Sequence, residues 1–325
     1  MKYDKLTQKK RKLDALRPLP RELVRNLEDW FRVELTYTSN AIEGNTLTRQ
    51  ETAVVIEKGL TVGGKSLKEH LEANNHAHAL DFVHSLTQRK LTQLSAKDIL
   101  AIHEIILKGI DDENAGHYRT VPVRIVGSAV IMPNARKVPD LMDEFQMWLT
   151  NRQSLHPVEF AGEAHYRLVT IHPFIDGNGR TARLLMNLLL VIFGYPPAII
   201  LKRDRLTYIS ALEKAQLGGS KEEYKKIIAQ AANRSLDIYL KAAKGESAIG
   251  NLDTNGLMKI GELANEVGEN VSTIRHWISE GLVEAADSTR SGYQLFARDM
   301  IKRCRWVQKQ KSGRLTLKEI KQKML

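Results

Sequence analysis

One short string constrains this chain more than any other stretch: His172-Pro-Phe-Ile-Asp-Gly-Asn-Gly-Arg-Thr-Ala-Arg183. The largely apolar run Leu184–Ile192 follows it at once, and a run of this kind predicts a buried helix. A glycine-rich turn therefore opens onto a helix N-terminus, where backbone N–H groups point outward and bind anions. The chain is expected to present an anion site at the start of a core helix.

The side chains of this string are those that phosphate chemistry uses. Arg180 and Arg183 are charged donors suited to phosphate oxygens. Asp176 is a hard oxygen ligand, suited to Mg²⁺ that a phosphate also holds. His172 is able to act as a base at neutral pH. Each residue alone has a simple structural interpretation, but their combination predicts phosphate transfer from a nucleotide, with His172 activating the incoming hydroxyl.

The string resembles the signature of the Fic family, His-x-Phe-x-(Asp/Glu)-Gly-Asn-Gly-Arg-x-x-Arg, at every position. This resemblance implies a mainly α-helical domain that transfers AMP from ATP to a Ser, Thr or Tyr hydroxyl of a protein. His172 is then the base, Asp176 holds Mg²⁺, and Arg183 grips the γ-phosphate. Gln216 departs from an asparagine common in similar family members. The residues expected to bind the nucleotide are Gly177, Asn178, Gly179, Arg180, Thr181, Ala182, Arg183, Tyr208 and Gln216.

A second motif precedes the signature in the chain. Ser39 and Glu43 lie four residues apart, so on a helix they share one face, and Gly44 can end that helix. The stretch resembles the inhibitory motif of the family, (Ser/Thr)-x-x-x-Glu-(Gly/Asn). The resemblance implies an inhibitory helix near residues 36–44, on which Glu43 reaches Arg183 and holds the enzyme off. It leaves open that Glu43 instead positions a water for the removal of AMP from a modified protein.

Residues 121–132 predict a β-hairpin in an otherwise helical first domain. Alternating and β-branched residues over 121–126 predict one strand, a turn follows, and residues 129–132 can return. The simple interpretation is a small capping hairpin. In the Fic family a hairpin at this place, the flap, holds a target segment by strand addition. The expected flap residues are Val126, Gly127, Ser128 and Ala129.

Residues 256–325 predict a second domain, after a linker over 244–255 that is rich in small and polar residues. Two short helices, near 257–268 and 272–282, have helix-turn-helix spacing, and 288–296 has the character of a wing. The segment resembles the MerR-type winged helix-turn-helix, although it lacks the long dimerising helix of full regulators. A protein-docking module is the alternative to DNA binding. The residues that match DNA-facing positions are Thr273, Arg275, His276, Arg290 and Tyr293.

The net charge of +11 is concentrated at the two ends of the chain. Residues 1–21 carry 8 basic and 2 acidic side chains (+6), residues 256–325 carry 13 and 8 (+5), and residues 22–255 carry 28 of each. Basic ends suit nucleic acid, with a solubilising surface as the alternative for the first. The expected organisation is a basic arm (1–21), a Fic domain (22–243), the linker and the DNA-binding domain.

Several further expectations concern partners and location. The single cysteine, Cys304, excludes an internal disulfide, and no apolar run is long enough to cross a membrane. The N-terminus lacks the apolar segment of a secretory signal, so we expect a cytoplasmic protein. The protein target is left open, with the chain itself as one candidate, and a homodimer is left open as well. A competing hypothesis is a transcription regulator whose Fic domain senses nucleotide or modifies itself.

Overall fold

The computed structural model describes residues 3–151, 154–246, 257–288, 294–313 and 315–322. The chain divides into two compact units. One comprises residues 1–200 and 204–248, and the other comprises residues 249–325 with Leu201–Arg203. Most of the linker predicted over 244–255 lies outside the described residues.

The described part of the first unit consists of helices joined by loops. Its α-helices are α1 (Asp4–Asp14), α2 (Arg21–Ile42), α3 (Arg49–Lys58), α4 (Leu67–Leu86), α5 (Ala96–Leu107), α6 (Val138–Thr150), α7 (Pro157–Ile171), α8 (Asn178–Ile192), α9 (Arg205–Gln216) and α10 (Glu222–Ala243). Short 3₁₀ turns lie at Leu91–Gln93 and Ala135–Lys137. The inhibitory stretch predicted near 36–44 forms the last turns of the long helix α2 and the turn after it, rather than a helix of its own.

Local capping chemistry explains where several helices begin. At the start of α3, the Thr48 hydroxyl accepts a hydrogen bond from the N–H of Glu51 (3.2 Å), and the Glu51 carboxylate accepts one from the N–H of Thr48 (2.7 Å). This reciprocal pair of bonds satisfies two backbone N–H donors that would otherwise lack an acceptor at the helix start. Gly59 ends α3 in the left-handed conformation that glycine adopts most readily.

The signature helix α8 lies at the centre of the first unit. Nearly all of its residues are buried, and helices α2, α4, α5 and α7 pack against it. A helix that is apolar on all sides is stable only when neighbours surround it completely. The buried helix predicted after the signature is therefore confirmed, and its N-terminus is held rigidly by the core.

Helix α1 uses the basic N-terminal residues for packing. Leu6 and Leu13 are buried on its inner face. Lys9 pairs with Asp237 of α10, and the Arg17 guanidinium donates to the carbonyl of Gly194 (3.1 Å), just after α8 ends. A cation near a helix C-terminus is favourable because carbonyl groups there lack partners. Part of the charge expected to suit nucleic acid therefore has a structural use within the first unit.

The predicted β-hairpin over residues 121–132 is not formed by paired strands. The turn at Gly127 is present, with the Ser128 N–H donating to the carbonyl of Ile125 (3.1 Å), but neither arm has strand structure. Pro122 lacks an N–H group for a ladder, and Val126 and Ile131 are 99% and 93% exposed. An isolated two-stranded ribbon without a buried face is marginally stable. The segment 121–132, called the flap below, is instead held by side chains.

The second unit has small helices packed beside a small sheet. Its helices are α11 (Ile260–Val267), α12 (Val271–Ser279), α13 (Asp299–Ser312) and α14 (Leu317–Gln322). Strands β1 (Met258–Lys259), β2 (Asp287–Ser288) and β3 (Gln294–Phe296) form an antiparallel sheet in the order β1-β3-β2. A core cluster that includes Trp277 and Phe296 holds these elements together. The expected fold class, a mainly α-helical protein with a small C-terminal helix-turn-helix unit, is confirmed.

Within the described ranges, no helix meets the length and hydropathy needed to cross a bilayer.

Candidate active site

The signature loop, the end of α2, the flap and α9 surround one cleft of about 290 Å³ in the first unit. This volume is close to the lower end of the range found for small-molecule sites. Of the predicted site residues, the cleft brings together Glu43, Ser128, His172, Asp176, Gly177, Asn178, Gly179, Arg183, Tyr208 and Gln216.

His172 follows α7 in a left-handed conformation with φ of 51°, which no other non-glycine residue adopts among the described residues. Its Nδ1 lies 3.2 Å from the carbonyl of Val169. Because a carbonyl only accepts hydrogen bonds, Nδ1 carries the hydrogen, and Nε2 is left as the basic nitrogen. Burial lowers the pKa of His172 below its usual range. The imidazole is therefore neutral at physiological pH and ready to take a proton.

The loop between His172 and α8 is fixed by its own polar groups. The Asn178 side chain accepts from the N–H of Phe174 (3.0 Å) and donates to its carbonyl (2.9 Å). Asp176 accepts from the N–H of Gly177 (2.6 Å), and its side chain is 53% exposed at the cleft. The Asp176 carboxylate is thus oriented and remains accessible to a ligand, as expected for a metal-binding oxygen.

Sequence reasoning did not identify His103 of α5, which packs against this loop and bonds to it. Its ring stacks on Phe174 with centroids 3.6 Å apart, and its Nε2 bonds the carbonyl of Asp176 (3.0 Å). Its Nδ1 accepts from the N–H of Gly116 (3.0 Å), and burial lowers its pKa to about 4. A Cβ at position 177 would lie 3.2 Å from this ring, so Gly177 is needed for space as well as for its φ of 75°. His103 is a neutral, positioning residue.

The start of α8 presents unpaired backbone donors to the cleft. The first N–H group that bonds within the helix is that of Thr181, which donates to the carbonyl of Gly177 (3.0 Å). The N–H groups of Asn178, Gly179 and Arg180 precede it and have no acceptor inside the helix. Such groups, together with the helix dipole, form an anion site. The predicted phosphate site therefore has its backbone donors in place.

Three predicted nucleotide-binding side chains do not line the cleft. Thr181 and Ala182 are fully buried in the core face of α8. Arg180 is 2% exposed, and its guanidinium lies 3.3 Å from Glu72 and 3.5 Å from Asp176. Within the described residues, Nε and Nη1 of Arg180 have no hydrogen-bond partner. An unsatisfied buried guanidinium is unfavourable, so Arg180 retains capacity for a ligand beside the loop.

Arg183 is bonded to the end of α2 and to the turn after it through two of its three guanidinium nitrogens. Its Nε donates to the Ser39 hydroxyl (2.9 Å), and its Nη2 donates to the Ser39 carbonyl (3.0 Å) and to the Glu43 carboxylate (2.6 Å). A Cβ at Gly179 would overlap this carboxylate, so Glu43 lies against the start of α8. A protein carboxylate therefore occupies space beside the anion site and neutralises the arginine that faces it.

Tyr208 lines the cleft, but its hydroxyl is used inside the protein. The Tyr224 hydroxyl donates to the carbonyl of Gly162 (2.7 Å), so it accepts from Nδ1 of His165 (2.8 Å). Nε2 of His165 then accepts from the Tyr208 hydroxyl (2.7 Å). Burial lowers the pKa of His165 to about 3 and raises that of Tyr208 to about 12, so both rings stay neutral. The ring of Tyr208 is thereby fixed as a cleft wall.

Gln216 lies at the far end of the same wall. Its amide nitrogen lies 3.3 Å from the carbonyl of Val169 and 3.3 Å from the Thr170 hydroxyl. These contacts join α9 to the last turn of α7, immediately before His172. Gln216 therefore lines the cleft while its amide donors are directed to the protein.

The flap is fastened at its base and at its tip. At the base, the buried Arg119 guanidinium donates to the carbonyls of His172 (2.7 Å), Val121 (3.1 Å) and Pro133 (2.6 Å). At the tip, Glu213 of α9 accepts from the Ser128 hydroxyl (2.7 Å) and from the N–H of Ala129 (2.9 Å). These bonds lower the pKa of Glu213. Of the four predicted flap residues, Ser128 lines the cleft, whereas Val126, Gly127 and Ala129 do not.

The predicted DNA-facing residues belong to the second unit. Arg275 and His276 are exposed on α12, and Thr273 is half-buried on the same helix. Trp277 and Ile274 occupy the opposite, buried face, so α12 is a surface helix with an accessible polar side. Arg290 and Tyr293 lie outside the described residues.

Comparison with known proteins identifies two families. Residues 93–190 match the Fic/DOC family, and residues 258–325 match the MerR HTH family regulatory proteins. The chain is 42% identical over 208 residues to a protein named protein adenylyltransferase Fic from Drosophila grimshawi, covering 63% of this chain and 42% of that protein. It is 37% identical over 239 residues to the protein of the same name from Nematostella vectensis, covering 73% and 55%. The chain spans about half the length of these relatives.

Solved structures give the same relationship. A Fic domain containing signaling protein from Bacteroides thetaiotaomicron is similar with a TM-score of 0.70 and 31% identity, over 76% of this chain and 100% of that chain. Fic-1 from C. elegans is similar with a TM-score of 0.68 and 31% identity, over 75% and 73%. A Fic family protein from Desulfovibrio desulfuricans G20, at 23% identity and a TM-score of 0.60 over 90% and 95%, shares the fold.

Proposed function

The chain belongs to the Fic family, and on that premise we propose that it transfers AMP from ATP to a Ser, Thr or Tyr hydroxyl of a protein. The observation that carries the proposal is one cleft that holds a neutral histidine beside an anion-binding helix start. Nε2 of His172 is the basic nitrogen, and among the described residues the N–H groups of residues 178–180 have no acceptor, so they are able to bind phosphate. Relatives 37–42% identical to this chain are named protein adenylyltransferases, which supports the same chemistry.

The reaction follows from the roles of these groups. His172 accepts the proton of the incoming hydroxyl, whose oxygen attacks the α-phosphorus. A new oxygen–phosphorus bond forms, the bond to the β-phosphate oxygen breaks, and pyrophosphate leaves. The backbone donors at the start of α8 and the Arg180 guanidinium stabilise charge that builds up on phosphate oxygens. Arg183, once free of Glu43, orients the γ-phosphate so that the leaving group lies in line with the hydroxyl.

Mg²⁺ fits the donor chemistry at Asp176. Its carboxylate is accessible at the cleft and oriented by the N–H of Gly177, and carboxylate oxygens are preferred ligands of Mg²⁺. The described residues contain no cluster of three or more acidic, histidine or cysteine side chains that would hold a metal alone. A single protein ligand suits an ion that ATP phosphates also hold. When bound, such an ion supplies charge neutralisation at the phosphates.

Labelled ATP tests the proposed transfer. The chain is incubated with ATP labelled at the α or at the γ position, and labelled protein is identified by mass. We expect label from the α position only, and a loss of about 10²–10⁴-fold in His172→Ala, because a general base contributes that much. ATP binding should survive in this variant. Label from the γ position alone, or wild-type turnover in His172→Ala, would overturn the assignment.

We also propose that Glu43 inhibits the enzyme. Its carboxylate holds Arg183 at 2.6 Å and lies against Gly179, so an ATP γ-phosphate has to displace it. Glu43→Gly should raise AMP incorporation, by about tenfold for each 1.4 kcal/mol of stabilisation that the pair gives the inhibited state. Equal incorporation by wild type and Glu43→Gly would show that Glu43 is an ordinary residue at a helix end.

Removal of AMP is a second candidate activity of the same site. Glu43 and His172 line one cleft, so the carboxylate is able to position a water for attack on an AMP–protein bond. Release of AMP from a purified modified protein would reveal this activity, and Glu43→Gly should abolish it. Release that persists in Glu43→Gly would exclude Glu43 from that role.

We propose that the second unit binds duplex DNA. Arg275 and His276 are exposed on α12, which is the second helix of the helix-turn-helix, and the match to MerR regulators covers residues 258–325. Neutralised phosphates release counterions, so binding should weaken steeply with salt. The full chain and Arg275→Ala are titrated against the DNA upstream of its own gene and against random DNA. Absence of binding to either at low salt would favour protein docking.

A footprint at its own promoter that is unchanged in His172→Ala would favour the competing hypothesis, a transcription regulator whose Fic domain senses nucleotide or modifies itself. We propose a cytoplasmic site of action, where ATP is available as the substrate of the transfer and DNA as a ligand of the second unit. The chain itself is one candidate target, and the mass measurement with labelled ATP detects self-modification directly. A homodimer would supply the second helix-turn-helix that a palindromic DNA site requires.

A further inference from the structure

The turn after α2 reaches the phosphate site by a second route, through a buried amide. Asn45 lies two residues after Glu43 and is 7% exposed. Its Nδ2 donates to the carbonyl of Glu69 (3.1 Å) and to Oε2 of Glu72 (2.9 Å), and its Oδ1 accepts from the N–H of Leu47 (3.0 Å). The side chain therefore fastens the residues around Glu43 to helix α4.

Glu72 is the partner that Asn45 shares with the active site. While Oε2 accepts from Asn45, Oε1 lies 3.3 Å from Nη1 of Arg180, and the Glu72 backbone carbonyl accepts from Nδ2 of Asn40 (3.2 Å). Glu72 and Arg180 are both buried, and charges interact more strongly where water is excluded. One carboxylate thus holds the inhibitory segment with one oxygen and contacts the phosphate-site arginine with the other.

We propose that Asn45 and Glu72 form a buried anchor that holds Glu43 in its inhibitory position and also positions Arg180. The proposal rests on the proposed function, in which Glu43 inhibits transfer and Arg180 binds phosphate. Neither anchor residue lines the cleft, so both act through other residues and are positioning residues. The release of Glu43 and the orientation of Arg180 are then linked through the side chain of Glu72.

A neighbouring contact provides a matched control. The Thr46 hydroxyl and N–H both donate to Oε1 of Glu69 (2.6 and 2.8 Å), and Lys65 donates to the carbonyl of Thr46 (2.8 Å). These bonds fasten the same turn to the same helix, but they are exposed and have no connection to Arg180. Loss of the Thr46 hydroxyl also leaves the other two contacts intact.

The first test measures incorporation of α-labelled AMP by the full chain. Asn45→Ala removes a buried bond to a carboxylate, and we expect incorporation to rise by about tenfold, which corresponds to about 1.4 kcal/mol. Thr46→Ala should leave incorporation unchanged. In the Glu43→Gly background, Asn45→Ala should add nothing, because the inhibitory group is already absent. A role in stability alone would lower activity in both backgrounds, and that outcome would overturn the proposal.

The second test separates the two functions of Glu72. In the Glu43→Gly background, Glu72→Gln keeps an oxygen for Asn45 but removes the charge beside Arg180. The guanidinium is then expected to turn toward Asp176, its remaining carboxylate neighbour. KM for ATP should rise by about tenfold while the melting temperature stays close to that of Glu43→Gly. An unchanged KM would show that Glu72 does not position Arg180.

A third measurement needs no catalysis. Amide hydrogen exchange over residues 40–44 should be faster in Asn45→Ala than in wild type, because the turn is no longer fastened to Glu72. Should Glu43→Gly incorporate no label, the proposed transfer would be wrong, and the anchor would be judged on exchange alone. Exchange in Asn45→Ala equal to that of wild type would overturn the anchor.

Discussion

Two arginines three residues apart on the same helix have opposite surroundings. Arg183 is 5% exposed and donates to Ser39 and Glu43 at 2.6–3.0 Å. Arg180 is 2% exposed, yet two of its guanidinium nitrogens have no hydrogen-bond partner within the described residues. Within the described residues, Arg183 makes three hydrogen bonds to the end of α2 and the turn after it, whereas Arg180 makes a single long one, to Asp176 at 3.5 Å.

This difference assigns separate tasks to two residues of one motif. Burying an unsatisfied polar group costs roughly 1–3 kcal/mol. A ligand that bonds to the unpartnered nitrogens of Arg180 would remove this cost. The bonds of Arg183 to Ser39 and Glu43 mean that a ligand has to compete with existing partners. In the proposed function, phosphate therefore completes the bonds of Arg180, whereas Arg183 has to be released first.

The largest effect is expected for Arg180. Arg180→Ala in the Glu43→Gly background should lower AMP incorporation by about 10²–10³-fold, the usual loss when a donor to developing negative charge is removed. Arg180→Lys should recover only part of this loss, because a lysine lacks the planar fork of donors. Both are measured with α-labelled ATP. Equal activities of Arg180→Lys and Arg180→Ala would indicate that charge at this position is unimportant.

A smaller effect separates two roles of Arg183, its pairing with the inhibitory Glu43 and its binding of the γ-phosphate. Arg183→Ala breaks the same ion pair as Glu43→Gly, but it also removes the group that should hold the γ-phosphate. We therefore expect no gain from Arg183→Ala, and in the double variant we expect the gain of Glu43→Gly, about tenfold per 1.4 kcal/mol, to be lost. Activation of Arg183→Ala to the level of Glu43→Gly would mean that Arg183 serves inhibition alone.

The smallest effect concerns the base. Burial lowers the pKa of His172, whereas the negative charge of Glu43 favours its protonated form and partly opposes that shift. Glu43→Gln removes this charge, so the pKa of His172 should fall further, and the ring should stay neutral to lower pH. Titration of the ring proton signal by NMR measures this, with His172→Ala to assign the signal. An unchanged or raised pKa would place the Glu43 charge too far away to act on the base.

The predictability of this site from sequence depended on distance along the chain. The signature is continuous, so its helix start and its candidate base, carboxylate and arginines were all found from residues 172–183. His103 was missed because it contacts Asp176 from 73 positions away, and only its place among Ile99, Ile102 and Ile106 on a buried helix face hinted at a packed polar group. Such long-range contacts leave no local pattern.

The flap shows a different limit. Alternation over residues 121–132 correctly indicated a turn near Gly127, but it wrongly predicted paired strands on either side of that turn. The arms are instead joined by Arg119, which lies outside the alternating stretch and bonds both Val121 and Pro133. A pattern reports which backbone shape is favourable, whereas a side chain from elsewhere determines whether two arms form a ladder. Arg180 and Glu72 illustrate the same point, since burial of the pair depends on how α4 and α8 pack.

The left-handed backbone at His172 has a thermodynamic consequence. For a residue with a Cβ, a left-handed conformation costs roughly 1–2 kcal/mol, and glycine is nearly free of this penalty. The fold bears that cost at the one residue that the proposed reaction cannot lose. A screen for heat resistance alone would therefore favour glycine at position 172 and yield a sturdier but inactive protein. Raising the thermal stability of this protein without losing the proposed activity has to begin elsewhere in the chain.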